Sequence, residues 1–110
     1  MTALFTLSKN DNIELTKILK IIDNNNEYSF KLDGFKMILN NRYFLRENEE
    51  YKLHLNIIDK TCILHLKEKN LQYDINVEKI EYNNNEGKTE LIYKIETDDF
   101  ENKITIEQGE

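Results

Sequence analysis

The chain has two histidines, His54 and His65, and an imidazole can bind a metal ion or transfer a proton near neutral pH. Both fall on the polar face of neighbouring predicted strands. A two-residue turn at Asp59-Lys60 would set them directly opposite each other, with Cβ atoms about 5 Å apart. A four-residue loop, Asp59 to Cys62, separates them and avoids a turn that lacks glycine and asparagine. Because neither register brings a third ligand to that face, we expect no metal site and no cofactor.

Acidic residues cluster in two predicted loops and not in a cleft. Acid or base catalysis needs a titratable group whose pKa is shifted by its surroundings, and water keeps loop carboxylates ordinary. We therefore expect these acids to solvate the surface or to contact a partner protein. The candidate contacts are Glu47, Glu49 and Glu50 in the first loop and Asp98, Asp99 and Glu101 in the second.

Nucleophilic catalysis and phosphate binding lack the residues they need. Cys62 is the single cysteine, which excludes an internal disulfide, and its place between Thr61 and Ile63 predicts a small buried side chain. No activating neighbour accompanies it. With only three glycines there is no glycine-rich phosphate loop. The sequence thus predicts that the protein is not an enzyme.

The net charge of the chain disfavours two classes of partner, nucleic acids and membranes. The chain of 110 residues carries 21 acidic and 15 basic side chains, a net charge of −6. This charge repels phosphate backbones and anionic lipid, so we expect no direct nucleic acid and no membrane among the partners. No run approaches about 18 apolar residues and residues 1–12 do not resemble a secretion signal, so we expect a cytoplasmic protein.

The elements that position these residues are predicted to be strands. Apolar and polar residues alternate from Tyr28 to Glu107, and the pattern restarts about every ten residues. With no proline to interrupt it, this pattern predicts an all-β fold with a single domain over residues 1–110. We expect a small antiparallel up-and-down β-barrel, or a strongly curved meander, of seven to eight strands with a calycin-like form.

Several local signals fix parts of this meander. Asp33-Gly34 is the strongest hairpin signal, and folding about it pairs Phe30 with Met37. The segment Asp11 to Asp23 fits either a helix or a strand, and its β-branched residues favour a strand. The alternation of inward-facing residues shifts by one position at Glu78-Lys79, which predicts a β-bulge.

Three loops are also predicted. The charged run Arg46 to Glu50 and the stretch Asn83 to Gly87 are expected to be solvated loops. In the last hairpin, a four-residue loop from Asp98 to Glu101 pairs Glu96 with Lys103, whereas a two-residue turn would oppose like charges. We prefer the longer loop.

An eight-stranded barrel encloses either a packed interior or one small molecule. The inward residues are mostly large, so a filled interior is favoured. Any pocket would be apolar, lined by Tyr28, Phe30, Tyr73 or Tyr93.

A set of features recurs in order from Ile13 nearly to the C-terminus. They are Ile22-Asp23, Glu27 to Leu32, Gly34-Phe35, Met37 to Phe44, Glu49-Glu50, Tyr93, Asn102 and Ile104 to Glu107. With these features the chain resembles the YwiB-like family of uncharacterised bacterial proteins, which are calycin-like β-barrels. This resemblance implies a fold without a reaction, since fold does not imply function.

The sequence therefore predicts a non-enzymatic, acidic β-barrel that binds a protein or a small apolar ligand. The alternative is a small acidic inhibitor, phage-borne for example, that mimics nucleic acid and occupies a basic site on a partner protein. A ligand-binding barrel predicts an internal cavity. A decoy predicts an acidic surface stripe and salt-sensitive association.

Overall fold

The computed structural model describes residues Met1–Gln108, which contain twelve β-strands and no helix. The predicted all-β class and antiparallel pairing are confirmed. The strands are β1 (Thr2–Lys9), β2 (Asn12–Lys20), β3 (Ile22–Asn24), β4 (Glu27–Leu32), β5 (Phe35–Leu39), β6 (Tyr43–Glu47), β7 (Tyr51–Asn56), β8 (Thr61–Leu66), β9 (Leu71–Ile75), β10 (Val77–Asn85), β11 (Lys88–Ile95) and β12 (Asn102–Gln108).

The ladders form two antiparallel sheets, and not one closed sheet, over the described residues. One sheet has the order β10-β11-β12-β1-β2 and the other the order β3-β4-β5-β6-β7-β8-β9. The chain also divides into two compact units that follow these sheets, with Ile22–Asn76 forming the second unit.

The first unit combines residues 1–21 with residues from Val77 onward, so both ends of the chain contribute to its sheet. Strand β1 pairs with β2 on one side and with β12 on the other. Its core is formed by side chains that alternate along β1, β11 and β12, together with Ile21. They are Ala3, Phe5, Ile21, Leu91, Tyr93, Ile95, Ile104 and Ile106.

The second unit is a meander in which every strand pairs with its neighbours in the chain. The alternation places apolar side chains on one side of this sheet, which we call the apolar face, and we call the other side the polar face. The buried members of the apolar face are Tyr28, Phe30, Leu32, Met37, Leu39, Phe44, Leu53, Leu55 and Cys62.

The hairpin at Asp33-Gly34 is confirmed, with Phe30 opposite Met37 and Tyr28 opposite Leu39. Both turn residues have positive φ, 49° at Asp33 and 84° at Gly34, as a two-residue turn between twisted strands requires. The strand over Asp11 to Asp23 and the bulge beside Glu78 are also confirmed, since β2 and β3 cover the first segment and the β10–β11 register shifts between Val77 and Lys79.

The predicted count of seven to eight strands is too low. Strand β1 was not counted because it lies before Tyr28, where the recognised alternation begins. Asn76 separates β9 from β10, which belong to different sheets.

Two predicted loops are shorter than expected. Arg46 and Glu47 belong to β6, and Asn83–Asn85 belong to β10, where the turn is confined to Glu86-Gly87. The polar side chains in these segments suggested loops. The ladder nevertheless continues through them, because its bonds are made by the backbone and not by the side chains.

The register predicted for the last hairpin is wrong. Tyr93 lies opposite Asn102, and the connection between β11 and β12 is longer than four residues. Polar contacts hold this longer loop, since Asn102 Nδ2 donates to Asp98 Oδ2 at 2.9 Å and Lys94 Nζ donates to the carbonyl oxygen of Asp98 at 2.9 Å. The charge argument considered only the shortest loops and could not include these contacts.

Candidate ligand-binding site

Asparagine side chains set the turns on both sides of β6 and so determine which residues that strand contains. Asn40 Oδ1 accepts hydrogen bonds from the backbone N–H groups of Arg42 and Tyr43, each at 2.8 Å. Asn48 Oδ1 does the same for Glu50 and Tyr51, each at 2.9 Å. These side-chain bonds close each turn within a few residues. Strand β6 therefore extends to Glu47 and includes Arg46.

Arg46 lies on the apolar face. Its direct partners across the ladders are Met37 on β5 and Leu53 on β7, both of which are buried. The guanidinium Cζ is 4.3 Å from the ring centroid of Phe35 and 5.8 Å from that of Tyr51. Nη2 donates to the Tyr51 hydroxyl at 2.8 Å. We call Phe35, Arg46 and Tyr51 the Arg46 cluster.

The apolar face continues from the Arg46 cluster toward the edge of the sheet. One row of opposed residues runs Arg46–Leu53–Leu64–Tyr73, and a second runs Tyr51–Leu66–Leu71. Both rows end in exposed side chains, Leu71 at 43% and Tyr73 at 48%, whereas Leu53 within the first row is buried. Strand β9 is an edge strand of this sheet, so its apolar side chains are the least covered.

The four aromatic residues predicted to line an apolar pocket do not share one environment. Tyr28 and Phe30 are buried in the second unit, and Tyr93 is buried in the first. The alternation assigned Tyr73 correctly to the apolar face, but it also predicted an inward, enclosed side chain, and Tyr73 is exposed. Periodicity indicates a face, whereas the position of a strand within its sheet determines how far that face is covered.

The two histidines lie on the polar face of the same sheet, and neither predicted register is correct. His54 is opposite Ile63 and His65 is opposite Lys52, so the imidazoles are diagonal neighbours. Both line a pocket of about 190 Å³ together with Lys52, Ile63 and Gln72. The connection that produces this register is stabilised by Asn56 Oδ1, which accepts from the backbone N–H of Asp59 at 2.9 Å.

The surroundings of His54 disfavour its charged form. Its ring stacks on Tyr43, with centroids 5.2 Å apart and planes 22° apart. Burial lowers the pKa of His54 below its ordinary value of 6.5, and the charge of Lys52 lowers it further. Within residues 1–108 no three His, Cys, Asp or Glu side chains are grouped to hold a metal ion. Burial and the charge of Lys52 thus both disfavour protonation of His54 in this pocket.

This pKa predicts a pH dependence of stability. Because the folded-state pKa of His54 lies below 6.5, the unfolded chain binds the proton more tightly than the folded chain does. His54 therefore causes no loss of stability above pH 6.5, and the free energy of unfolding falls as the pH drops from 6.5 through the folded-state pKa. In urea titrations between pH 7 and pH 5, His54→Gln should show a shallower decline than the parent protein. Equal slopes would contradict this expectation.

The predicted acidic contacts are not free carboxylates throughout. Glu47 forms an ion pair with Lys67 at 2.7 Å, and the hydrogen bond from that lysine lowers the pKa of Glu47. Glu101 forms an ion pair with Lys79 at 3.2 Å. The remaining predicted contacts are the exposed Glu49, Glu50 and Asp99 and the partly buried Asp98. The two loops belong to different units.

A polar network that the sequence did not indicate lies at the start of β6. Glu27 Oε1 accepts hydrogen bonds from Asn40 Nδ2 at 2.9 Å and from the Tyr43 hydroxyl at 3.1 Å. Burial raises the pKa of Tyr43, and the bond to Glu27 raises it further. These contacts fix the Tyr43 ring on which His54 stacks, so the network has a positioning role.

The Arg46 cluster was also missed at the sequence level. The signal that could have found it is the spacing of Arg46 from Phe44, two residues along one strand, which places the arginine in the apolar phase. Interpreting Arg46 to Glu50 as a loop removed that signal.

Comparisons of the sequence with family models and with curated proteins, and of the structure with solved structures, give no match. The described residues include no helix that is long and apolar enough to cross a membrane.

Proposed function

We propose that the protein is a non-enzymatic binding module that holds a small apolar ligand on the apolar face of its seven-stranded sheet. The observation that carries this proposal is that apolar side chains continue along this face from Leu64 and Leu66 on β8 to β9, where Leu71 and Tyr73 remain substantially exposed. Contiguous exposed apolar surface costs free energy in water, and soluble proteins keep it mainly where something binds.

The calycin-like barrel, the resemblance to the YwiB-like family and a cytoplasmic location belong to the same proposal. Supporting the barrel is the order of pairing, in which successive strands pair within each sheet and β1 also pairs with β12. An up-and-down barrel likewise pairs successive strands and pairs its first strand with its last. Supporting the location is the single cysteine, which allows no internal disulfide.

The acidic decoy is the alternative. Two of its six predicted contact residues, Glu47 and Glu101, are already paired with lysines of the same unit. Neutralisation by these lysines weakens the field that would steer a basic partner toward either loop. A decoy would therefore have to rely on Glu49, Glu50, Asp98 and Asp99.

A neutral probe tests the binding proposal without a contribution from charge. N-phenyl-1-naphthylamine fluoresces more strongly in apolar surroundings, so titrating the protein into it should give saturable enhancement. Leu71→Asp places a carboxylate on the apolar face and should raise the dissociation constant of the probe about tenfold or more, since desolvating a charge is costly.

Ile63→Asp is the matched control. Ile63 is 39% exposed, close to the 43% of Leu71, but it lies on the polar face of the adjacent strand. This variant should bind the probe as the parent protein does. Absence of saturable enhancement in the parent, or equal weakening by the two variants, would overturn the proposal.

A further inference from the structure

The starting point is the charge of Arg46, which no carboxylate balances. Ion pairs elsewhere in the described residues join lysines to glutamates, as in Lys67–Glu47 and Lys79–Glu101. Among the same residues Arg46 forms no ion pair, although its planar guanidinium suits a carboxylate better than a lysine does.

The hydrogen bonds of Arg46 are also incomplete. A guanidinium has five N–H donors, and the described residues give it one hydrogen bond, from Nη2 to the Tyr51 hydroxyl. Nε is buried and has no hydrogen-bond partner among them. Contacts with the faces of Phe35 and Tyr51 offset part of the cost of this charge, but they do not satisfy the buried Nε.

Tyr51 supplies a second donor at the same place. Its hydroxyl oxygen accepts from Arg46, and no described residue accepts its proton. A group that approaches the guanidinium beside Tyr51 can therefore receive N–H and O–H bonds together. Donors of this kind select an oxyanion, and a carboxylate fits the planar fork of arginine.

We propose that the ligand of the apolar face is an alkyl carboxylate, with its head bound by Arg46 and Tyr51 and its tail lying along the partly exposed Leu66 and Leu71. This inference rests on the function proposed above. Tyr51 and Leu71 end one row and are two strand spacings apart, about 10 Å, a length comparable to that of a medium-chain alkyl group. The arginine thus gives the apolar face a fixed polar end.

Dodecanoate and dodecanol, which share a tail and differ in the head, test this assignment when each displaces N-phenyl-1-naphthylamine below its aggregation limit. We expect the parent protein to bind dodecanoate at least about tenfold more tightly than dodecanol, as a charge-assisted bond to arginine would give. Arg46→Met should abolish this preference and leave the affinity for dodecanol unchanged. Tyr51→Phe should reduce the preference in part.

Arg42→Met is the control, because Arg42 is an exposed arginine in the turn before β6 and outside the cluster. It should leave the preference unchanged. Arg46→Lys keeps the charge without the planar fork and should retain a smaller preference, which provides a second variant if Arg46→Met fails to fold.

Each outcome separates the two proposals. If the parent protein binds dodecanoate and dodecanol equally, or if Arg46→Met and Arg46→Lys keep the full preference, the carboxylate assignment is overturned while the apolar binding function stands. If neither compound displaces the probe, both fail. Tighter binding of dodecyl phosphate than of dodecanoate would also overturn the carboxylate assignment and indicate a different anionic head.

Discussion

Phe30→Ala should lower the free energy of unfolding by about 3–5 kcal/mol, because it removes a large buried side chain and leaves a cavity. Phe30 is 5% exposed and lies opposite Met37, which is 7% exposed, so the substitution removes packing between two buried side chains. Urea unfolding followed by circular dichroism measures the change.

Tyr73→Ala is the control for Phe30→Ala, since Tyr73 is on the same face but is 48% exposed. Tyr73→Ala should lower the free energy of unfolding by less than about 1 kcal/mol. A loss below about 1 kcal/mol for Phe30→Ala would show that the apolar face of β4 is not packed as described.

Cys62 should react with a thiol reagent about 1,000-fold more slowly in the folded protein than in urea, or more slowly still. The side chain is 2% exposed on the apolar face of β8, which is paired on both sides by β7 and β9. Exposing the sulfur requires opening the sheet, and opening of buried strands approaches the full free energy of unfolding.

The neighbouring residue provides the reference rate. Thr61 is exposed and points away from the apolar face, so Thr61→Cys combined with Cys62→Ala should be labelled rapidly in the folded state. Labelling of Cys62 at a similar rate would mean that β8 opens without global unfolding.

How far the sequence predicted each hairpin depended on whether its turn residues indicate where the turn begins. Asp33-Gly34 encodes its own turn, and the register of β4 and β5 followed from it. The histidine hairpin was predicted wrongly because Asn56 bonds to the backbone of Asp59, and its four-residue turn begins at Ile57, two residues earlier than expected. In the closing hairpin, Asn102 bonds to Asp98 within a loop longer than four residues. The alternation of apolar and polar residues indicates neither side-chain bond.

The candidate site shows the same division. The alternation assigned Phe30 and Tyr73 to one face, and both lie on it. What it could not indicate was the exposure of Tyr73, which follows from the edge position of β9. Arg46 was missed because a charged residue beside other charged residues resembles a loop, whereas Asn48 ends the strand two residues later.

The ladder between β1 and β12 determines when the first sheet can be completed during synthesis. All partners within residues 22–76 are close in sequence, so each strand there can pair soon after it leaves the ribosome. Strand β1 instead cannot pair with β12 until nearly all residues have been synthesised, which at about 5–20 residues per second takes about 5–20 s. During that interval the backbone edge of the β1–β2 hairpin that later meets β12 is unpaired, and it lies beside the exposed pair Leu4 and Ile18. An open edge next to apolar side chains invites pairing with other nascent chains, so the yield of folded protein depends on how quickly β12 arrives.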